Sequence, residues 1–458
     1  MHMTDALVLI TGDTHLGSNH TDFLPYFDPQ YRPAYQEFLE TAALAQKIQA
    51  ERLAKAAAGG KGKAMGGDAM SMMAAAPGRM LDMLVDRRGD GSVPYSREYI
   101  AENQKIRREV IRSLGYDKFD EDEFMSVLGE DDPDLRLKML EVDGTVGQVL
   151  FPQVGFLLSS VGPELLWAGI RAYNRFAAEF AKSHPDRYAA TFMVDLSNIE
   201  RACEEARFAG ENGMRGGAYI AGGRPPGLPA FSESYYEPFF KTLEEFNLPF
   251  NMHGAFSPGG NQAGWVAGPG AAVFNQIWIN YLNLNKGGPL MHFLSGGVFE
   301  RHPKLKIVVA ESGGLYWATE VLQTLDEIYN STDQRTSISL RNMNPNTVKK
   351  FKEFPRKPSD YFKTNVYVQG HNSALDWKAL RTVGIDNVVW SSDFPHAEST
   401  WPYSVQEIKK LMADTGTSIE DARKFLGLNA AKLYGFDVKK LQPIADRVGP
   451  KLTASAAA

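Results

Sequence analysis

The chain holds a single cysteine, Cys203. An internal disulfide and any multi-cysteine metal site are therefore excluded, and iron–sulfur chemistry with them. Cys203 itself reads as a small core residue on a helix. An excess of positive charge is missing too: Lys and Arg number 49 against 55 Asp and Glu, a formal net charge of −6. Nucleic acid is not an expected partner of such a surface. No apolar run approaches the ~20 residues that cross a bilayer as a helix. The opening MHMTDALVLITGD lacks a charged leader region and a cleavage site, so its apolar stretch reads as a strand and the expected location is cytoplasmic. No Gly-rich phosphate fingerprint follows that strand, which speaks against a doubly wound nucleotide-binding sheet.

What is present is a regular alternation. Short β-branched or aromatic runs begin at Ala6 (ALVLITGD), Gly147 (GQVLFP), Tyr188 (YAATFMVD), Gly216 (GGAYIAG), Pro249 (PFNMHGAF), Lys306 (KIVVAESG), Val366 (VYVQG) and Asn387 (NVVWSSD). Runs without polar alternation suit strands buried on both faces, as a parallel sheet requires. Helix-like stretches such as AYNRFAAEFAKSHP, IERACEEARFAGENG and YYEPFFKTLEEFN separate them. The alternation predicts a (β/α)8 TIM barrel covering residues 1–458, with 16–146 as an insertion or arm between the first two strands. Part of the arm, LAKAAAGGKGKAMGGDAMSMMAAAPGRM, is rich in Ala, Gly and Met. It reads either as a flexible linker or as an ordered arm over the barrel mouth or against another subunit, so homo- or hetero-association with related barrels is expected.

In a barrel of this kind functional groups gather where strands end. The first strand ends in Asp13-Thr14-His15, and period-2 geometry points Asp13 and His15 the same way. His253 ends the fifth strand, Glu311 the sixth, and Asp393 the eighth with His396 just beyond; His371 follows the seventh. Taken singly each has an ordinary structural explanation, a satisfied core histidine or an arginine partner. Five strands delivering Asp, His and Glu to one face point to a metal, and mixed nitrogen and oxygen donors suit Zn, Mn or Fe. Asp13, His15, His253, Glu311, Asp393 and His396 are the candidate ligands, and Asp393, His396 and His371 the candidate catalytic groups. His20, beside Asn19 and Asp22, is a further candidate. His292, His302, His184 and His2 read as structural or terminal. Arg224 offers one possible contact to a substrate carboxylate, and Trp265, Trp317 and Trp401 either line a pocket or pack.

HPKLKIVVAESGGLYW, KPSDYFKTNVYV, IDNVVWSSDFPHAESTWPYS and FLGLNAAKLYGFD, with DGTVGQVLFP, AYNRFAAEFAKSHPDRYAA and NLPFNMHG upstream, resemble the amidohydrolase-related family, amidohydrolase family 2. The resemblance covers most of Asp143 to Asp437 and the first strand, but not the arm. It implies a metal-dependent hydrolase, decarboxylase or hydratase acting on a small organic compound. His253 and Asp393 match the family's pattern. The sequence departs from it where Asp13 replaces the first histidine of His-x-His and Glu311 replaces a histidine after the sixth strand. A branch with Asp-x-His and Glu-Ser-Gly is the nearer match, and some enzymes resembling it use two Fe or Fe/Mn ions to activate dioxygen. Carboxylates in place of imidazoles harden the site, favouring Fe or Mn over Zn, and a glutamate can bridge two ions. The expected function is thus a monooxygenase or hydroxylase. The alternative is a hydrolase or decarboxylase that activates water or a substrate carbonyl, and a third reading is an inactive barrel-like partner subunit.

Overall fold

In the computed structural model the described residues are 6–17, 23–41, 44, 97–116, 129–153, 161–220, 227–253, 284–311, 314–331, 345–396 and 399–451. His2, His20, Arg224, Trp265 and the whole Ala/Gly/Met-rich segment lie outside them. The apolar runs become strands whose every residue is buried: β1 (Ile10–Leu16), β2 (Gly147–Pro152), β3 (Tyr188–Val194), β4 (Gly217–Ile220), β5 (Phe250–Met252), β6 (Ile307–Val309), β7 (Val366–Gly370) and β8 (Val388–Trp390). They pair in parallel in sequence order. A doubly wound sheet would break that order at a switch point.

The ends of the sheet meet. The amide of His15 donates to Phe394 O at 2.8 Å and that of Asp393 to Asp13 O at 3.1 Å, and Thr14 bridges Phe394 in parallel. Eight parallel strands thus form a nearly closed (β/α)8 barrel, as the sequence predicts. β1 starts four residues later than the apolar run suggests and continues to Leu16, so Asp13 and His15 lie inside it.

Helices cover the outside. α1 (Arg97–Ser113) and α2 (Pro133–Val142) fall between β1 and β2; α3 (Pro163–Ser183) follows β2, α4 (Ile199–Glu211) β3 and α5 (Glu237–Glu245) β4. Further on come α6 (Leu284–Ser295), α7 (Trp317–Asn330), α8 (Pro358–Asn365), α9 (Ala374–Val383), α10 (Ser404–Thr415) and α11 (Val438–Val448). Asp132 starts α2 by accepting from the amides of Asp134 and Leu135 at 2.9 and 3.0 Å, with Pro133 where no amide is needed. α3 buries Ile170, Tyr173, Asn174, Ala177, Phe180 and Ala181, a stripe at the helical spacing of three and four. Asn174 is the polar member of that stripe. It is satisfied on both sides of its amide, donating to Met193 O at 2.9 Å and accepting from Met193 N at 2.7 Å, which ties α3 to β3. Cys203 is buried on α4, as expected.

Candidate metal centre

β1 is not a regular strand where it matters. Thr11 pairs with Gln148 and Thr14 with Leu150, so three steps along β1 match two along β2. Despite this bulge Asp13 and His15 reach the same place, His15 Nε2 lying 3.8 Å from Asp13 Oδ1, as the sequence reading expects. At Gly12 a Cβ would stand 2.6 Å from Val389 Cγ1, so only glycine lets β8 approach this closely. Thr11 then knits the two strands: its Oγ1 donates to Asp13 O at 2.9 Å and accepts from the Ser392 amide at 2.9 Å.

The strand ends deliver their polar side chains to one place. His15 Nε2 lies 3.1 Å from Asp393 Oδ1 and 3.8 Å from Asp13 Oδ1. His253 Nε2 stands 3.1 Å from Asp13 Oδ2, and its Nδ1 3.7 Å from Glu311 Oε2. His396 Nδ1 is 3.1 Å from Asp393 Oδ2, and its Nε2 is 3.2 Å from Gln153 Oε1. The His396 ring stacks on His15 at 4.0 Å between centroids, and His253 stacks on Phe151 at 4.5 Å. All but Glu311 and His396 are buried, and these two are partly so.

Two of the carboxylates are carried by strained backbone. Glu311 has φ of 44° and Asp393 of 57°, the left-handed region that non-glycine residues seldom enter. Aspartate tolerates it, glutamate less readily, and such residues cluster at functional sites.

Charge is concentrated here. Burial disfavours a charged His15 and the neighbouring His396 adds to this, so its pKa is lowered. Burial acts the same way on His253, but Asp13 and Glu311 outweigh it and the value is raised. Burial would also push Asp393 up; the His396 and His15 imidazoles overcome it and hold the carboxyl well below its ordinary value.

Two overlapping donor sets result, Asp13–His15–His253 and His15–Glu311–Asp393–His396, with donor atoms within 4.8 Å of one another in each. His15 belongs to both. Buried Nδ1 atoms of His15 and His253 have no hydrogen-bond partner, and Asp13 Oδ2 forms no hydrogen bond although His253 Nε2 is 3.1 Å away. His15 Nε2 bonds Asp393 Oδ1 at 3.1 Å and His253 Nε2 bonds Asp13 Oδ1 at 3.3 Å, and the unsatisfied buried donor atoms beside these bonds suit a shared cation. Ligands ~2.1 Å from one ion stand about 3 Å apart when cis. The set therefore fits one ion, and its extent and shared histidine leave room for two.

The remaining candidates fall elsewhere. His371 follows β7, half-buried and outside both donor sets; its amide donates to Asp376 Oδ2 at 3.0 Å. Asp376 Oδ1 accepts from Leu315 N at 2.8 Å, so this buried carboxylate ties the loop after Glu311 to the one bearing His371. Sequence reading missed Asp376; the only signal was its place three residues after Ser373, which caps α9. His302 sits between Glu237 and Glu244 at 2.7 and 2.9 Å, His292 accepts from Phe231 N, and His184 pairs with Asp134. All three are structural, as expected. Trp401 packs on Phe394 and donates to Met139 O at 2.8 Å. Trp317 lies on α7, against the main core.

A family profile described as Amidohydrolase matches residues 164–436, more than half of the sequence. The chain belongs to the amidohydrolase family. Its members are metal-dependent enzymes, so a non-catalytic subunit is not the reading for this amidohydrolase. Gamma-resorcylate decarboxylase from Rhodococcus jostii (strain RHA1) is 26% identical over 198 residues, 39% of this chain and 56% of that protein. The match thus spans little more than half of that relative's length. Among solved structures, an amidohydrolase from Mycobacterium avium subsp. paratuberculosis K-10 superposes with a TM-score of 0.50 and 21% identity, covering 72% of this chain and 82% of that one. The 5-carboxyvanillate decarboxylase of Sphingomonas paucimobilis gives 0.50 and 18%, covering 73% and 96%. These two likenesses show the fold. Among the described residues no helix is long and apolar enough to cross a membrane.

Proposed function

We propose that this amidohydrolase is a metal-dependent, non-oxidative decarboxylase of a small aromatic acid. One observation carries the reading: the buried Asp393 carboxylate, gripped on one oxygen by His15 and on the other by His396, within a cluster of further metal donors. The decarboxylase relative supports this alternative over the oxygenase that the ligand substitutions suggest. The ligands are Asp13, His15, His253, Glu311, Asp393 and His396, and Mn or Fe suits their carboxylate-rich character, with Zn as the alternative. A bound divalent ion would supply Lewis acidity, drawing electron density from a substrate oxygen.

The chain's own groups do the proton work. His396 and Asp393 share a proton along their 3.1 Å contact. That proton rests on His396 and is relayed through the Asp393 carboxylate to the ring carbon as the bond to the substrate carboxylate breaks; the bonding pair stays with the ring and carbon dioxide leaves. His371, at the mouth, orients the substrate. The whole chain acts as one barrel unit with 16–146 inserted, works in the cytoplasm, and associates with further barrels.

A second reading rests on the two donor sets that share His15. Asp13, His15, His253, Glu311, Asp393 and His396 would then hold two Fe or Fe/Mn ions, which would supply dioxygen chemistry for hydroxylating a small substrate. Full-length protein loaded with Mn or Fe and given gamma-resorcylate or 5-carboxyvanillate, with and without oxygen, separates the two. Carbon dioxide release that ignores oxygen is the expected result. A hydroxylated product with matching oxygen uptake, and no release under nitrogen, overturns decarboxylation in favour of the second reading.

A further inference from the structure

Two arginines of the inserted arm are buried behind the centre. Arg107, on α1, is 1% exposed and donates through Nη1 to Pro395 O at 2.5 Å and through Nη2 to His396 O at 2.6 Å. Arg136, on α2, is 0% exposed; its Nη2 donates to His15 O at 2.9 Å and, with Nε, to Gln148 Oε1 at 3.1 and 3.2 Å. Burial lowers Arg136 to about 10, with Glu130 opposing the shift, so it stays a cation at neutral pH. Its guanidinium lies 4.6 Å over the Phe394 ring, between the two residues that carry the chemistry of β8, Asp393 and His396.

Apolar packing completes the grip. Ile111 of α1 and Leu135 and Met139 of α2 form a cluster of their own with Phe394 and Trp401, separate from the main barrel core. Met139 O accepts from Trp401 Nε1, and Asp143 Oδ1 accepts from Ser404 N at 2.8 Å. The post-β8 loop is therefore seated on the arm and not on the barrel wall alone. A guanidinium that donates to two successive carbonyls fixes the two peptide planes flanking the His396 Cα, and with them where the His396 side chain leaves the backbone. Buried cations are costly without partners. Here the partners include carbonyls of both donor-bearing segments, with Gln148 accepting from Arg136 and Glu130 favouring its charge.

We propose that Arg107 and Arg136 are positioning residues: the inserted arm clamps the ends of β1 and β8 so that His15, Asp393 and His396 converge on one cation. The inference rests on the cluster being the metal centre and is independent of the reaction performed there. Removing Arg107 frees the His396 segment, and removing Arg136 frees both the His15 carbonyl and the face of Phe394. Lysine can reach one carbonyl but not two in a fixed fork, so it restores only part of the effect.

The test is Co2+ binding to the full-length, metal-stripped protein, followed by titration and by the visible absorption of bound Co2+. Arg107→Met is expected to fold, to lose roughly 10- to 100-fold in Co2+ affinity, the range for residues that orient ligands, and to change the absorption bands. Arg107→Lys recovers part of the affinity. In a His396→Ala background Arg107→Met should have little further effect, because its action runs through that side chain. Should Arg107→Met fail to fold, Arg107→Lys and Arg136→Lys are measured against the same background. Unchanged affinity and bands in folded Arg107 variants, or equal losses with and without His396, overturn the clamp alone. Absence of Co2+ binding by the unmutated protein overturns the metal-centre reading, and the clamp falls with it.

Discussion

The two sides of the barrel mouth are built differently. On the β1/β8 side the donor-bearing segments are held by hydrogen bonds to the backbone: His15 N to Phe394 O, Asp393 N to Asp13 O, Thr11 between them, and two arginines behind. On the β5/β6 side the strands also pair, Ala310 N donating to Met252 O at 2.9 Å, and among the described residues the His253 and Glu311 side chains are placed further by what they face. His253 relies on Asp13 and on stacking with Phe151, and Glu311 stands 3.7 Å from His253 with 28% of its side chain exposed. The first side is organised by backbone before any cation arrives. The second is organised by charge, so it should depend far more on what the charges hold.

Breaking the rigid side at its chemical centre should have the largest effect. Asp393→Asn keeps the shape but removes the proton carrier, and activity should fall roughly 10²- to 10⁴-fold. A steady-state assay with the metal-loaded variant checks this, and near-normal turnover would assign the proton step elsewhere.

The anchor of the β8 loop on the arm has a pH signature. Burial, opposed only by hydrogen bonds from Ser404, raises the Asp143 carboxyl from 3.8 to about 7. Between those values the folded chain keeps a proton that the unfolded chain releases. This group's stabilising contribution is thus complete below about 4 and is lost as pH rises toward 7. Asp143→Asn should flatten that slope and stabilise the protein at pH 8, with a ceiling of about 4 kcal/mol. Denaturant unfolding at pH 5 and 8 measures it; parallel slopes in both proteins would contradict the assignment.

The charge-organised side should respond through the metal. Glu311→Gln removes a negative charge near His253 and should weaken cation binding on the order of 10- to 100-fold while the metal-free protein melts as before. A drop in metal-free stability instead would mean that Glu311 is a structural partner, and the contrast between the two sides would vanish. On the rigid side the reverse is expected of Thr11→Val. The Ser392 amide loses its acceptor, costing about 1–3 kcal/mol in unfolding measurements, with cation affinity little changed.

How much of this was legible beforehand follows from where each interaction is encoded. The strands were readable because β-branched and aromatic residues run together in Val149–Phe151, Ile307–Val309 and Val388–Trp390. The candidate donor cluster was readable because a barrel delivers strand-end side chains to one face, and Asp13, His15, His253, Glu311, Asp393 and His396 are all brought to that place. The bulge in β1 was not readable, since register is a property of a strand pair and not of one segment. Arg107 and Arg136 were invisible for a similar reason. Their partners are backbone carbonyls, which carry no residue identity, on segments 288 and 121 positions away. His371 was singled out by its strand end but lies outside both donor sets; its main-chain tie to Asp376 depends on how α9 returns to the mouth.

The central claim, that these side chains form a metal centre, is tested most directly at the residue shared by both donor sets. Metal content per chain is measured by elemental analysis of purified full-length protein and of His15→Ala after loading with Mn2+ and desalting. The account predicts one or two tightly held ions in the first and a loss of all or nearly all of them in the second, with the fold retained. Equal metal content in both would contradict it.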